Sequence, residues 1–331
     1  MTRRALVAGA ALAALMAAAA APLPAAADPP PNPIDEARAA AARLSFVGVV
    51  EVTWSDRSGA HTDQMVVRGQ DGWIEVQGAT TALADTSGAS MIRRQTGGWD
   101  LLWSSSPVAS GRPDPSAKYV VQPAAGDPVA TVASRPTRVL DVRQGSTLVE
   151  RLFLDTATGL LLRREQVGTA ATTSRVVAFS ALQLDPPGTV PPPPDPVDHS
   201  PSLMSVTGGG PAPATLPGGY RRLGAYREQG VVQLLYSDGL YDLSVFEQPG
   251  GLAVPSSGTR IPVGSGHAWI YGWPGGHILL RHAGHTLYSL VSDAPVEHLE
   301  AAAAALPAAG GSSLVGRLRQ VCRSLLEPLA G

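Results

Sequence analysis

A chain of 331 residues has room for about two domains. Hydrophobic residues reach 44%, enough for real cores, although alanine inflates the figure and only 5% of residues are aromatic and 16% charged. A net charge of -2 gives no electrostatic footprint for a polyanion, which sets nucleic acid aside as a partner.

The first 27 residues read as a secretory signal. Arg3 and Arg4 are the positive lead, Ala5 to Ala21 is wholly apolar, Pro22 and Pro24 break the run, and Ala25-Ala26-Ala27 suits a signal peptidase. An uncleaved anchor is the other reading, but an Ala-rich run of roughly 17 residues lies at the lower limit for spanning a bilayer. Thr2-Arg3-Arg4 hints at twin-arginine export. The only cysteine, Cys322, rules out an internal disulfide.

Residues 28–185 form the first predicted domain. DEARAAAARL, Asp35 to Leu44, predicts a short helix with acids in its first turn, where the helix dipole favours them. The periodicity then drops to two. In SFVGVVEVTW, Phe46, Val50, Val52 and Trp54 share one face, opposite Glu51 and Thr53. Strand-like runs follow at Thr62–Arg68, Trp73–Gln77, Ser90–Arg94, Trp99–Trp103, Tyr119–Gln122, Thr137–Arg143, Thr147–Asp155, Leu160–Glu165 and Arg175–Leu184. Gly, Asp and Ser punctuate them, as antiparallel hairpins require. A large curved antiparallel sheet with one leading helix is expected, not a parallel α/β fold.

Residues 186–215 carry PPPPDP and then TGGGPAPAT, which predict an interdomain linker unable to pair as a sheet. A second, smaller α+β domain is expected over residues 216–308. Its strands are Tyr220–Arg227, Val231–Tyr236, Tyr241–Glu247, Ala268–Gly272, His277–Arg281 and Thr286–Ser292. Asp293 is then the expected N-cap of a helix Ala294–Leu306. Residues 309–331 predict an amphipathic tail helix with Leu314, Leu318, Val321 and Leu325 on one face and arginines between them. It either docks on its own domain or meets a membrane or partner.

The sequence offers little chemistry. HExxH, CxxC, a Walker loop and a GxSxG elbow are all missing, and the Gly clusters do not sit in strand-to-helix turns. His277, His282 and His285 lie close together in HILLRHAGH, where solvated hairpin histidines are expected in preference to a metal site. The chain is therefore read as a binding protein, not an enzyme, with no cofactor and no metal. The aromatics invite one further reading. Phe46, Val50, Val52, Trp54, Met65, Val67, Trp99 and Trp103 either pack as ordinary core or line an apolar cavity that accepts a lipid or a partner's hydrophobic segment.

Three stretches together resemble the MucB/RseB family of sigma-factor regulators, of the sigma-E type. The first is SFVGVVEV after a short helix. The second spans Ala133 to Glu165, with Arg135-Pro136 leading to Asp155, Thr158 and Gly159 of LDTATGLLLR. The third holds Leu216, Pro217, Gly219 and Tyr220, then Tyr236-Ser237-Asp238-Gly239-Leu240, then Ser244-Val245-Phe246. The long proline-rich linker and Pro/Ser-rich loop resemble high-GC Gram-positive relatives. The resemblance implies an N-terminal LolA-like β half-barrel holding a short helix, and a second domain that contacts a membrane-anchored anti-sigma factor. It implies an exported, extracytoplasmic regulator that shields this partner from proteolysis, with a lipid as a possible signal. An envelope lipid or lipoprotein carrier is the alternative.

Overall fold

The computed structural model describes residues 32–307 except 57–58, 71–72, 78–81, 87–88, 94–98, 105–112, 127–128, 169–172, 188–201, 205–211, 229–230 and 251–257. The expected signal segment, the tail helix and Cys322 lie outside the described residues. The described chain is dominated by two antiparallel sheets, the fold class the sequence predicts.

Helix α1 (Pro33–Arg43) opens the first domain. Asn32 caps it by accepting from the Ile34 amide at 3.1 Å, and Asp35 and Glu36 occupy its first turn. The first sheet has 12 strands: β1 (Phe46–Asp56), β2 (Gly59–Gln70), β3 (Trp73–Gln77), β4 (Ala82–Thr86), β5 (Ala89–Arg93), β6 (Trp99–Ser104), β7 (Val120–Pro123), β8 (Val129–Val132), β9 (Arg135–Gln144), β10 (Thr147–Asp155), β11 (Leu161–Val167) and β12 (Thr173–Leu184). Their order is β6-β5-β4-β3-β2-β1-β12-β11-β10-β9-β7, with β8 also on β9, so the sheet is open. The two outermost strands in sequence, β1 and β12, pair at its middle, with Val52 opposite Val177 and Trp54 opposite Arg175.

Alternation decides which face is buried. Phe46, Val50, Val52, Met65, Val67, Ile74, Val76, Leu162, Val177 and Phe179 form one apolar cluster with Ala40 and Ala41 of α1. Phe46 and Phe179 meet edge to face at 6.0 Å. This is possible because Gly48 and Gly69 present no Cβ to the rings.

The second sheet has nine strands: β13 (Ser202–Met204), β14 (Thr215–Leu216), β15 (Tyr220–Glu228), β16 (Val231–Ser237), β17 (Asp242–Pro249), β18 (Thr259–Val263), β19 (Gly266–Trp273), β20 (Gly276–Ala283) and β21 (Thr286–Ser292), followed by helix α2 (Val296–Ala305). Among the described residues no helix is long and apolar enough to cross a membrane.

Three local expectations need correction. The segment 186–215 does pair: Ser202–Met204 lies against Ala225–Arg227, because these three residues between the Pro-rich and Gly-rich runs keep every backbone donor. Asp293 does not cap α2, whose N-cap is Pro295 with no side-chain bond; the Asp293 carboxylate is committed elsewhere. His277 is buried, while His282 and His285 are exposed on either side of the Ala283-Gly284 turn.

A second apolar cluster belongs to both domains. It joins Ile34, Ala37, Tyr119, Leu140, Val142, Leu152 and Leu154 to Tyr220, Leu234, Tyr241, Leu290, Leu299 and Leu306. The linker thus connects two sheets that share a core.

Candidate functional site at the interdomain joint

The turn between β16 and β17 inserts into the first domain. Asp238 organises it: one carboxylate oxygen accepts from the Leu240 and Tyr241 amides at 3.0 and 2.8 Å. The other accepts from Lys118 Nζ at 2.5 Å and the Tyr119 hydroxyl at 2.6 Å. Lys118 Nζ also donates to the Gly218 carbonyl at 2.7 Å, and Arg38 of α1 donates to the Gly239 carbonyl at 2.8 Å. Gly239 has φ +96°, and a Cβ there would stand 2.7 Å from the Pro113 carbonyl oxygen and 2.9 Å from the Pro115 backbone. Only glycine satisfies both the turn and the close approach. Burial raises the Tyr119 pKa, and the Asp238 charge raises it further, so its proton stays on the phenol and donates.

Beside this turn lies a buried ion ring. Arg164 holds Glu150 with two bonds, at 2.9 and 2.6 Å, and reaches Asp293 of the second domain at 2.6 Å. Gln166 donates to the Asp293 carbonyl at 2.8 Å, and the Tyr241 ring packs 5.4 Å from the Arg164 guanidinium. Burial opposes the Arg164 charge, but Glu150 and Asp293 outweigh it and hold the guanidinium firmly protonated. Burial raises the Glu150 carboxyl, and Arg164 offsets part of that rise.

At the far end Arg175 donates to the Pro274 carbonyl in the β19–β20 turn, and burial lowers its pKa to about 10. Gly272 comes so close that a Cβ would lie 2.9 Å from both Trp54 Nε1 and an Asp56 carboxylate oxygen. Trp54 stacks on His61 at 5.1 Å, and His61 bonds Asp56 at 3.0 Å.

Four cations of the first domain (Arg38, Lys118, Arg164 and Arg175) therefore donate to acceptors on the second. Arginine suits the two innermost positions because its planar fork can serve several acceptors at once.

The residues proposed to line a cavity fall in different places. Phe46, Val50, Val52, Met65 and Val67 are buried under α1, and half-buried Trp54 packs on that cluster's rim. Trp99 and Trp103 lie on β6, with side chains outside the described residues. One small apolar pocket, about 20 Å³ in volume, is lined by Val50, Leu161, Leu162, Arg163, Arg164, Val177 and Phe179. It has room for about one water and is far smaller than a site that holds a small-molecule ligand. Arg164 is in its wall and in the ion ring at once.

The motif residues separate into two locks. Arg135 grips Asp155 with two bonds of 3.0 Å, and Asp155 accepts from the Thr158 amide and hydroxyl. The Pro136 carbonyl accepts from Thr156, and Gly159, at φ +77°, leaves room for Glu36, which pairs with Arg138. This lock seats α1. The other motif residues build the joint or the sheet behind it. Leu216 and Tyr220 are buried in the shared core behind exposed Pro217 and Gly219, and the Tyr236 hydroxyl donates to the Pro213 carbonyl. Ser237 Oγ accepts from the Gly239 amide and donates to the Tyr241 carbonyl, beside half-exposed Leu240. Ser244 bonds Gln233 at 3.5 Å, with Val245 and Phe246 buried beside it.

Sequence reading missed Lys118, Glu150, Arg164, Arg175 and Asp293. A signal was present for three of them. Glu150 lies in phase with Leu152 and Leu154, Arg164 with Leu162, and Arg175 with Val177 and Phe179. Charges on the apolar phase of a strand need a partner from outside the sheet.

No family model and no curated protein matches the chain. Solved structures do. MucB aligns over 83% of this chain and 96% of its own, at 18% identity and a TM-score of 0.50. The Pseudomonas aeruginosa MucA/MucB complex aligns over 83% and 97%, at 18% identity and a TM-score of 0.49. A LolA superfamily protein from Nitrosomonas europaea aligns over 76% and 84%, at 7% identity and a TM-score of 0.18. The chain has the fold of MucB, across both domains.

Proposed function

We propose that this chain acts outside the cytoplasmic membrane as a negative regulator of an envelope-stress sigma factor. It binds the extracytoplasmic segment of a membrane-anchored anti-sigma factor, slows that protein's proteolysis, and lets go when an envelope signal, such as a lipid, arrives. The observation that carries this reading is the likeness to MucB over both domains, at 83% of the chain. MucB itself is seen in complex with MucA. The turn motif Ser237-Asp238-Gly239-Leu240, by which the chain resembles the regulators and which simple carriers lack, builds the joint.

A second reading, an envelope lipid or lipoprotein carrier, draws on the apolar pocket beside Val50 and Phe179. The joint weighs against it, because the second domain already occupies much of the face a carrier would offer its cargo.

The test is capture by the exported chain, Asp28–Gly331, from solubilised envelope, followed by native mass spectrometry. A single-pass membrane protein with a cytoplasmic sigma-binding domain is expected. A bound lipid with no protein partner would transfer the assignment to the carrier.

A further inference from the structure

Two histidines of the second domain are lodged in the joint, each beside a cation of the first. His298 on α2 bonds the Tyr220 hydroxyl through Nδ1 at 3.0 Å and packs edge to face on Tyr241 at 5.4 Å. Lys118 approaches the same Tyr220 ring, 5.9 Å from its centroid. His277 on β20 holds the Ala294 carbonyl through Nδ1 at 3.1 Å. It lies three residues beyond Pro274, the acceptor for Arg175.

We infer that the joint is an acid-sensitive latch: protonating His277 and His298 sets like charges against Arg175 and Lys118 and releases the second domain from the first domain's face.

His277 faces Arg175 from β12, Asp56 from β1 and Glu297 from α2; His298 faces Lys118, Asp238, Asp293 and Glu297. The acids temper the cations but do not cancel burial. Burial, with a smaller contribution from Arg175 and against the bond to Ala294, takes the His277 pKa down to about 4. Burial and then Lys118 lower that of His298. A histidine whose pKa is depressed in the closed joint binds its proton better in the open one, so closure weakens as pH falls from about 6.5 towards 4. At pH 5, His277 alone shifts the balance towards opening by about 30-fold if the open joint restores its ordinary value. Glu150 acts the other way: its raised carboxyl takes up a proton more readily in the closed joint. Two histidines work against one glutamate.

The test is a distance measurement on the full chain with Cys322→Ser and nitroxides on Ser146→Cys and Ser265→Cys, both exposed positions on opposite domains. One interdomain distance population at pH 7.5 and a second, broader one at pH 5, returning to one on neutralisation, is the expected result. In the His277→Asn/His298→Gln variant the second population should fall by at least tenfold. Because that variant could fail to close at all, the unsubstituted chain is also followed by histidine NMR. Both rings should then titrate together with the distance change. A single population down to pH 4.5, or opening that precedes proton uptake by either ring, overturns the latch.

Discussion

The first domain's buried face has two covers, and they are built differently. Over β1–β3 and the Val177–Phe179 part of β12 the cover is the second half of α1, whose Ala40 and Ala41 share an apolar cluster with Phe46, Val67 and Phe179. Over β9–β11 the cover is the second domain, and there the apolar contacts of Tyr119, Leu152 and Leu154 are ringed by Glu150, Arg164, Asp293 and Lys118. The joint also buries polar atoms that find no hydrogen-bond partner among the described residues, among them Arg175 Nε, Gln166 Oε1 and Asp293 Oδ1. Each such atom costs about 1–3 kcal/mol unless water reaches it. An apolar cover has nothing to gain by lifting. A cover fastened by buried charges regains hydration when it lifts, so its net hold is small for its area. The helix side is permanent architecture; the joint is the place where the molecule can change.

Five substitutions put this contrast at risk. Arg164→Met strands Glu150 and Asp293 together and should cost about 3–5 kcal/mol, with chemical unfolding splitting into two transitions as the domains separate. A single transition at the parental midpoint would mean that the ring does not hold the joint. Leu152→Ala in the shared core and Met65→Ala beneath α1 should each cost about 2–5 kcal/mol. Only Leu152→Ala should also raise hydrogen exchange in β16 and β17; equal effects in both would erase the distinction. Gly239→Ala combines positive φ with the approach of Pro113 and Pro115. About 2 kcal/mol is expected, and proteolysis between the domains should accelerate while each sheet keeps its circular dichroism. Asn32→Ala removes only a helix cap, about 1 kcal/mol, and should leave the interdomain distance unchanged.

The fold was legible where pattern and period agree. Alternation in SFVGVVEVTW announced β1 with the correct inward face, the run Thr147–Asp155 announced β10, and the runs Val231–Tyr236 and Tyr241–Glu247 announced the hairpin around Ser237-Asp238-Gly239. Strands β4, β8 and β18 went unnoticed: each is four or five residues long, and β18 carries Pro262 at the end of its sheet. The joint was legible only in fragments. Asp293 looked like a helix cap because an acid just before a helix usually is one. Its actual partner, Arg164, lies 129 residues away and leaves no local trace. His277 looked like a hairpin histidine for the same reason. Periodicity reports which face is buried, but not what buries it.

The pairing of β1 with β12 has a consequence in time. A chain is made from its N-terminus, so Phe46 must wait for Leu184 before the middle of its sheet can close, and Arg164 must wait for Asp293. During that interval the apolar face has neither its central partner strand nor its second cover, and closing such distant contacts is intrinsically slow. The newborn first domain therefore passes through a stage in which the surface later sealed by the joint is open to whatever lies nearby, and the second sheet with α2 is its own late-arriving cover.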